Sequence, residues 1–332
     1  MKRRSVLGLI MSCAALSVLG MASHPAGAQG KYPERTIRLV IPFAPGGEND
    51  IIGRIWAQKV ASFLGGSIIA DNRGGGGGSI GAAEVARAKP DGYTLLVGTT
   101  GTQIINPVAA KNPAYDPLKD FAAITLISGS SPSIALNPSV PAKTLQELIA
   151  LIKASPGKFS YGSAGAGTFV HLTGELLRIR AGNIDLQHIP YKGNGPAIQD
   201  LIAGHIPMTV VILNSSVLAH HRAGRLRVIT VLHEKRARTA PEIPTAVESG
   251  MPDMRAQLFS GIFAPAGTPQ PVIDAVHQAT VKAMSEGGLR KDLESAGAEA
   301  AVDSTPEKTA RFVREETAKW TPIIRASGFR PD

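Results

Sequence analysis

Apolar and polar positions along the chain change their period repeatedly. Short β-rich runs alternate with segments whose apolar residues recur every three or four positions. In the first such pair, the run Thr36–Ile41 leads into Pro42-Phe43-Ala44-Pro45-Gly46-Gly47-Glu48-Asn49-Asp50. Behind it Ile51, Ile52, Ile55, Trp56, Val60, Phe63 and Leu64 keep helical spacing, which predicts a helix over Asp50–Leu64 that buries them. Further strands are predicted at Ser67–Ala70, Thr94–Gly98, Ala122–Leu126, Ser133–Leu136, Phe159–Tyr161, Leu186–Ile189, Met208–Leu213, Arg227–Leu232 and Leu258–Ala264. Helices are predicted at Ser79–Ala88, Thr144–Ala154, Thr168–Arg180, Gly195–Ala203, Pro269–Ser285 and Thr305–Ala326. Thr144 and Glu147 form a capping box that fixes one of these starts. Such alternation predicts an α/β fold with parallel-rich sheets flanked by helices.

Ligands of such sheets sit outside the carboxyl ends of the strands. The Gly46-Gly47 loop lies at one of these ends and opens a helix. Backbone N–H groups of a first helical turn lack intrahelical acceptors, and the helix dipole adds positive potential, so the loop is a candidate seat for a carboxylate. The run Gly74–Gly78 lacks the Lys-Ser/Thr of a phosphate loop and the spaced glycines of a dinucleotide site. It is expected to be a flexible connector between a strand and a helix.

Composition narrows the class. Lys2, Arg3 and Arg4, the apolar stretch Val6–Ala22 and Ala26-Gly27-Ala28 predict a signal peptide over residues 1–28, cleaved near Ala28. A lone membrane anchor is the alternative, and either the general or the twin-arginine export route fits Arg3-Arg4. The protein is therefore expected in the periplasm. Its one cysteine, Cys13, lies in that leader, so thiol catalysis, disulfides and cysteine-bound metals are excluded from the mature chain. The formal charge of +9 falls to +6 once Lys2, Arg3 and Arg4 are removed. The remaining basic residues are dispersed and aromatics are sparse, which argues against nucleic acid as a partner. A mature chain of this length exceeds one ordinary core and predicts two domains with room for a cleft.

Six motifs occur in one order: Pro42–Gly47 with Asp50, Asn72-Arg73, Pro90-Asp91-Gly92-Tyr93-Thr94-Leu95-Leu96, Tyr115-Asp116-Pro117, His188-Ile189-Pro190-Tyr191-Lys192-Gly193 and Phe263-Ala264-Pro265-Ala266-Gly267-Thr268-Pro269. Together they resemble the Bug receptors, the substrate-binding proteins of tripartite tricarboxylate transporters, from Tyr32 to about Gly328. The resemblance implies a two-domain periplasmic binding-protein fold of type II character. Domain 1 would comprise residues 31–131 plus 255–332, and domain 2 residues 132–254. It implies a small organic acid or related polar metabolite held between the domains, closure by a hinge, and a membrane permease of tripartite type as partner; the chain is expected to be monomeric or weakly associating and to need no catalytic cofactor. A sensor that presents its closed form to a signalling protein is the alternative.

Carried over residue by residue, the resemblance assigns the first binding loop to Ala44, Gly46, Gly47, Glu48, Asn49 and Asp50. Bug receptors commonly carry Ser-Thr-Asp after the two glycines, where this chain has Glu48-Asn49-Asp50. Asn49 is a candidate helix cap. Glu48 either points into solvent or favours the helix N-terminus electrostatically, or it disfavours di- and tricarboxylates and selects a ligand with an amine, amide or hydroxyl partner. Thr100, Gly101 and Thr102 are candidates for lining the cleft or for capping the next helix. The second loop is assigned to Ser163, Gly167 and Thr168, with Thr168 as cap. Phe169 and Val170 replace hydroxyl residues, either for an apolar ligand portion or as core, while His171, Tyr191 and Lys192 are assigned to the fold. Asn214 and Ser215 are the weakest contacts, because the family's acidic or small polar residue and its proline turn are missing there.

A secreted hydrolase is the competing class. Glu48 with Asp50 mimics an acid/base pair and Ser163 with His171 part of a dyad. Spacing alone places no orienting third group. G-x-S-x-G is absent at Ser163 and His220-His221 lacks zinc spacing, so neither catalysis nor a metal is expected.

Overall fold

The computed structural model describes residues 32–330; the signal peptide predicted over residues 1–28 lies outside them. Two sheets organise the described residues. The first begins with β1 (Ile37–Ile41), followed by α1 (Glu48–Leu64), β2 (Ile68–Asn72), α2 (Ser79–Ala86), β3 (Thr94–Thr99), a π-helical turn at Gly101–Ile105 and the short α3 (Asn106–Ala109). The long β4 (Phe121–Ser130) then leads through Ser131 into the second sheet. That sheet holds β5 (Pro132–Leu136), α4 (Leu145–Ala154), β6 (Ser160–Ser163), α5 (Phe169–Arg180), β7 (Gln187–Pro190), α6 (Asn194–Ala203), β8 (Met208–Ile212), α7 (Ser215–Arg222) and β9 (Arg227–Val231). The chain returns to the first sheet with β10 (Leu258–Pro265), α8 (Gln270–Ser285), α9 (Leu289–Ser295), β11 (Glu299–Ala300) and α10 (Pro306–Ala326). Each sheet and its helices form one lobe.

Strand order is β11-β4-β10-β3-β1-β2 in the first sheet and β7-β6-β8-β5-β9 in the second. Both sheets are mixed. β1 pairs in parallel with β2 and β3, and β6 with β7 and β8, wherever a helix makes the crossover. β10 runs antiparallel to β3 and β4, and β5 antiparallel to β8 and β9. The antiparallel pairs involve strands on the segments that lead from lobe to lobe, a reversal that helical periodicity does not report.

Local chemistry explains the helix ends. The Glu147 N–H donates to the Thr144 hydroxyl at 3.2 Å, and the Glu147 carboxylate accepts from the Lys143 N–H at 2.6 Å. This is the expected capping box displaced by one residue. Thr168 caps α5 by accepting from the His171 N–H. α1 differs from expectation. It starts at Glu48, its N-cap is Gly47, and no side chain caps it. Asn49 instead accepts from the Ser260 hydroxyl at 3.0 Å, tying the helix to β10. Ile52, Trp56, Val60 and Leu64 are buried as expected, whereas Ile51 is 45% exposed and Ile55 and Phe63 are half-buried. The buried stripe is narrower because α1 covers one sheet face with its first turn overhanging solvent.

The apolar interior divides unequally. One cluster, including Ile52, Trp56, Leu95 and Ile262, fills the α1–α8 face of the first sheet. Another, including Ala135, Leu201 and Val217, fills one face of the second. The third runs from Val40 and Leu96 in the first lobe to Leu136, Tyr161 and Leu176 in the second. α10 joins them in this third cluster: its Trp320 is fully buried and meets Phe169 of α5 edge-on at 5.3 Å.

Candidate functional site

The Ala44–Glu48 loop is exposed at the carboxyl end of β1. Gly46 has φ +83°, a conformation that glycine reaches without Cβ strain. Asp50 ties the loop down. One carboxylate oxygen accepts the Gly46 N–H at 2.9 Å, and the other accepts from Arg54 and Asn72, each at 2.8 Å. Burial pushes the Asp50 carboxyl up, but Arg54, the Gly46 amide and Asn72 outweigh it and hold the group below its ordinary value. All of these partners are internal, so Asp50 shapes the loop. The Gly46 N–H is spent in the same way. The donors left unpaired are those of the first turn of α1, because the ladder opens with Ile51 N–H to Gly47 C=O.

The glycine run packs against this loop. Gly76–Gly78 form a 3-10 turn, and Gly75, Gly76, Gly77 and Gly78 all have positive φ. A Cβ on Gly74 would sit 3.5 Å from the Ala44 nitrogen, and one on Gly78 3.2 Å from the Pro42 carbonyl oxygen. The run is therefore a close-packed wall of the first loop rather than a bare connector.

Thr100 and Thr102 are fully buried, with their hydroxyls engaged. Thr100 accepts from the Phe259 N–H at 2.9 Å, and Thr102 from the Thr99 N–H at 2.9 Å. Gly101, between them, is half-buried. Sequence reasoning missed Ser130 and Ser131, where β4 leaves the first sheet. They are 6% and 4% exposed, buried at the point where the chain passes to the second sheet. The signal was present as Ser128-Gly129-Ser130-Ser131, a hydroxyl run ending an apolar strand. Glu48 is exposed, yet protein crowds its carboxyl, and the lost hydration raises it above the ordinary value, partly offset by Ser130.

In the second lobe, Ser163 ends β6 and is fully buried. Its hydroxyl lies 2.7 Å from Nε2 of His188 on β7, not beside His171 as the dyad reading expected. Strand pairing aligns Tyr161 with His188 across the sheet, a relation invisible to local spacing. His171 instead accepts the Gly167 N–H on Nδ1 at 3.0 Å, and its ring stacks on His188 at 4.0 Å. Thr168 donates to the Gly165 carbonyl at 2.7 Å. Gly167, φ +75°, is covered by the Phe329 ring from the C-terminal tail, into which a Cβ would run. Asn214 caps α7 by accepting from the Val217 N–H at 3.0 Å. With Ser215 it lines a cavity of about 590 Å³ that also touches Arg238, Arg290 and Glu299, away from both glycine loops. Among the described residues no hydrogen bond links the first loop to the second.

The stacked histidines make the second loop pH-sensitive. Burial lowers both below the ordinary value, His188 to about 4 with its neighbour His171 as the lesser cause, while Glu175 partly counters the shift on His171. The unfolded chain takes up protons first, near pH 6.5. The stabilisation is thus complete above about pH 6.5 and is lost as pH falls towards 4. Denaturation at pH 7.5 and 4.5 should show the wild type losing about 1–2 kcal/mol more than His188→Asn, after allowance for partial solvent access. Equal losses would contradict this account.

A family model described as "Tripartite tricarboxylate transporter family receptor" matches residues 52–329. Protein BugT of Bordetella pertussis is 30% identical over 319 residues, which cover 94% of this chain and 97% of BugT. The solved periplasmic binding protein BugD is 31% identical, with a TM-score of 0.69 over 90% of this chain and 99% of its own. An R. palustris protein solved with adipate is 29% identical, TM-score 0.72, covering 91% and 100%. MatC of Rhodopseudomonas palustris with bound malate is 29% identical, TM-score 0.70, covering 88% and 100%. With two mixed sheets, helices on their faces, and a family match that runs through both lobes, the chain belongs to the tripartite tricarboxylate transporter receptor family.

Proposed function

We propose that the protein is a periplasmic receptor that captures a small carboxylate between its lobes and delivers it to a tripartite-type permease. The observation that carries the reading is the uncapped first turn of α1 beneath the exposed Ala44–Glu48 loop. There the N–H groups of Glu48 and Asn49 are free to receive a carboxylate, as anions are received at other helix N-termini. The malate and adipate bound by two related proteins support that ligand class. In this reading residues 31–131 with 255–332 form one domain and residues 132–254 the other, with the hinge where Ser130-Ser131 and the segment before β10 pass between the sheets. The second contact is the Ser163–Thr168 loop, with Gly101 at the cleft edge. The chain acts as a monomer after cleavage near Ala28.

Binding rather than catalysis fits the second loop. His188 beside Ser163 is braced by another histidine rather than by a carboxylate, and a group brought down to about 4 is a weak base at neutral pH. A thermal-shift screen of protein purified from the periplasm, against mono-, di-, tri- and aminocarboxylates with uncharged polyols as controls, tests the reading. A carboxylate at about a hundred times its Kd should add roughly 2.7 kcal/mol of stability. Shifts with polyols alone, or none with any carboxylate, would overturn it.

A further inference from the structure

We propose that Phe329, on the C-terminal tail, is a positioning residue of the second binding loop: its ring holds the Gly165–Thr168 turn so that the first amides of α5 are placed for the ligand. The inference rests on the receptor reading above and adds a third segment of chain to that same site. Gly167 is the point of contact. A Cβ there would run into the Phe329 ring, so the ring lies directly on the glycine. Its φ of +75° favours glycine as well, and conformation and space thus select the same residue independently.

The second lobe restrains the turn from within. The Gly167 N–H donates to Nδ1 of His171 at 3.0 Å, and the Thr168 hydroxyl donates to the Gly165 carbonyl at 2.7 Å. A Cβ on Gly165 would lie 3.1 Å from the Tyr191 carbonyl oxygen, so the chain beyond β7 closes that side. Phe329 reaches the turn from the first lobe instead. Its support is α10, which packs on β4, the π-helical turn and α3 of the first lobe and on α5 of the second. Just before α10, the Ser304 hydroxyl accepts the Leu126 N–H of β4 at 2.8 Å. At the far end the Ser327 hydroxyl donates to the Ile324 carbonyl at 2.8 Å and accepts the Phe329 N–H at 3.3 Å. A helix of 21 residues, about 30 Å long, thus runs from a first-lobe strand to the second loop. What the turn controls is the start of α5. That ladder opens with the Leu172 N–H donating to the Thr168 carbonyl at 3.1 Å, which leaves the amides of Phe169 and Val170 without an acceptor in the helix. Their direction follows Thr168, and Thr168 follows the turn that Phe329 covers. A turn ordered in advance need not be ordered when the ligand binds, and affinity rises accordingly.

Amide hydrogen exchange tests the positioning without any ligand, in the wild type, Phe329→Ala and Phe329→Tyr. Phe329 is half-buried beyond the end of a helix, so Phe329→Ala should fold, and its unfolding temperature is measured alongside. Should it not fold, Phe329→Leu, which keeps apolar bulk without the ring, is read in the same way. Exchange at the Gly167 amide should be roughly tenfold faster in Phe329→Ala, with the amides of α4 unchanged, and Phe329→Tyr should restore the wild-type rate. Calorimetric titration then uses malate, adipate and the carboxylate that gives the largest shift in the thermal screen. Phe329→Ala should bind about tenfold more weakly, and Phe329→Tyr should recover the affinity. Unchanged exchange at Gly167, faster exchange throughout with α4 included, or faster exchange at Gly167 with undiminished affinity overturns the positioning role and leaves the receptor reading intact. Failure of every carboxylate, here and in the broader screen, removes the receptor reading itself and this inference with it.

Discussion

Gly47→Leu is expected to abolish carboxylate binding in a protein that folds normally. Gly47 has φ −78° and ψ 167°, an extended conformation open to any residue. A Cβ there would meet only the Ala44 carbonyl oxygen, at 3.7 Å, and would otherwise project into open space. No core contact is lost and no left-handed strain is introduced. The added isobutyl group stands over the amides of Glu48 and Asn49 and keeps a carboxylate from reaching them. A loss of about a hundredfold in affinity, or roughly 2.7 kcal/mol, is the expected scale, with an unfolding temperature within about two degrees of wild type. Gly46 would make a poorer probe. Its φ of +83° puts a strain of about 1–2 kcal/mol on any side chain, so reduced binding there would be confounded with a distorted loop. Undiminished affinity in Gly47→Leu would remove the first loop from the site, whatever the ligand.

The contrast between Gly46 and Gly47 also marks what the sequence can carry. Two glycines at a strand-to-helix junction announce a loop that approaches something closely. They do not say which one needs glycine for its backbone and which for the space above it. The same division runs through the fold. The alternation of strands and helices is legible because each apolar run is short and bounded by Gly, Pro or a capping hydroxyl, as Thr144 and Thr168 illustrate. β11 is not legible: two residues become a strand only because β4 offers Gly129 and Ser128 as partners. Nor is the reach of β4 to Ser130, which follows from its long antiparallel pairing with β10.

In the candidate site, local hydrogen bonds follow from nearby residues, whereas the cross-strand neighbours do not. That Asp50 would turn back onto Gly46 is a four-residue relation. That Ser163 would meet His188, and Gly167 the Phe329 ring, depends on strand pairing and on where the C-terminal helix ends. Physical contact between residues so far apart in the chain is a property of topology, and local periodicity contains no information about it.

The C-terminal helix makes that non-local dependence measurable, because the chain has two tryptophans and they lie in different cores. Trp320→Ala should cost roughly 3–5 kcal/mol in denaturant unfolding, as large aromatic truncations in a packed interior do. Trp320 is fully buried, meets Phe169 edge-on, and donates its indole N–H to Glu316 at 2.9 Å. Lys319 pairs with the same Glu316 and stands over the indole at 5.6 Å, so the truncation also loosens an ion pair. Trp56 is equally buried and donates to the Thr280 hydroxyl at 3.1 Å, but its cluster stays within the first lobe. Trp56→Ala should therefore be destabilising on the same scale. The two variants should part company in ligand binding. Phe169 follows directly on the Ser163–Thr168 loop, so the cavity left by Trp320 lets that loop shift, and affinity should fall several-fold in protein that is still folded. Trp56→Ala should bind as the wild type does once its folded fraction is allowed for. Trp320→Phe keeps the aromatic contact and should recover most of the affinity, even though it leaves Glu316 without the indole donor. Equal binding by Trp320→Ala and Trp56→Ala would mean that the core shared by the two lobes supports the fold alone and does not set the second loop.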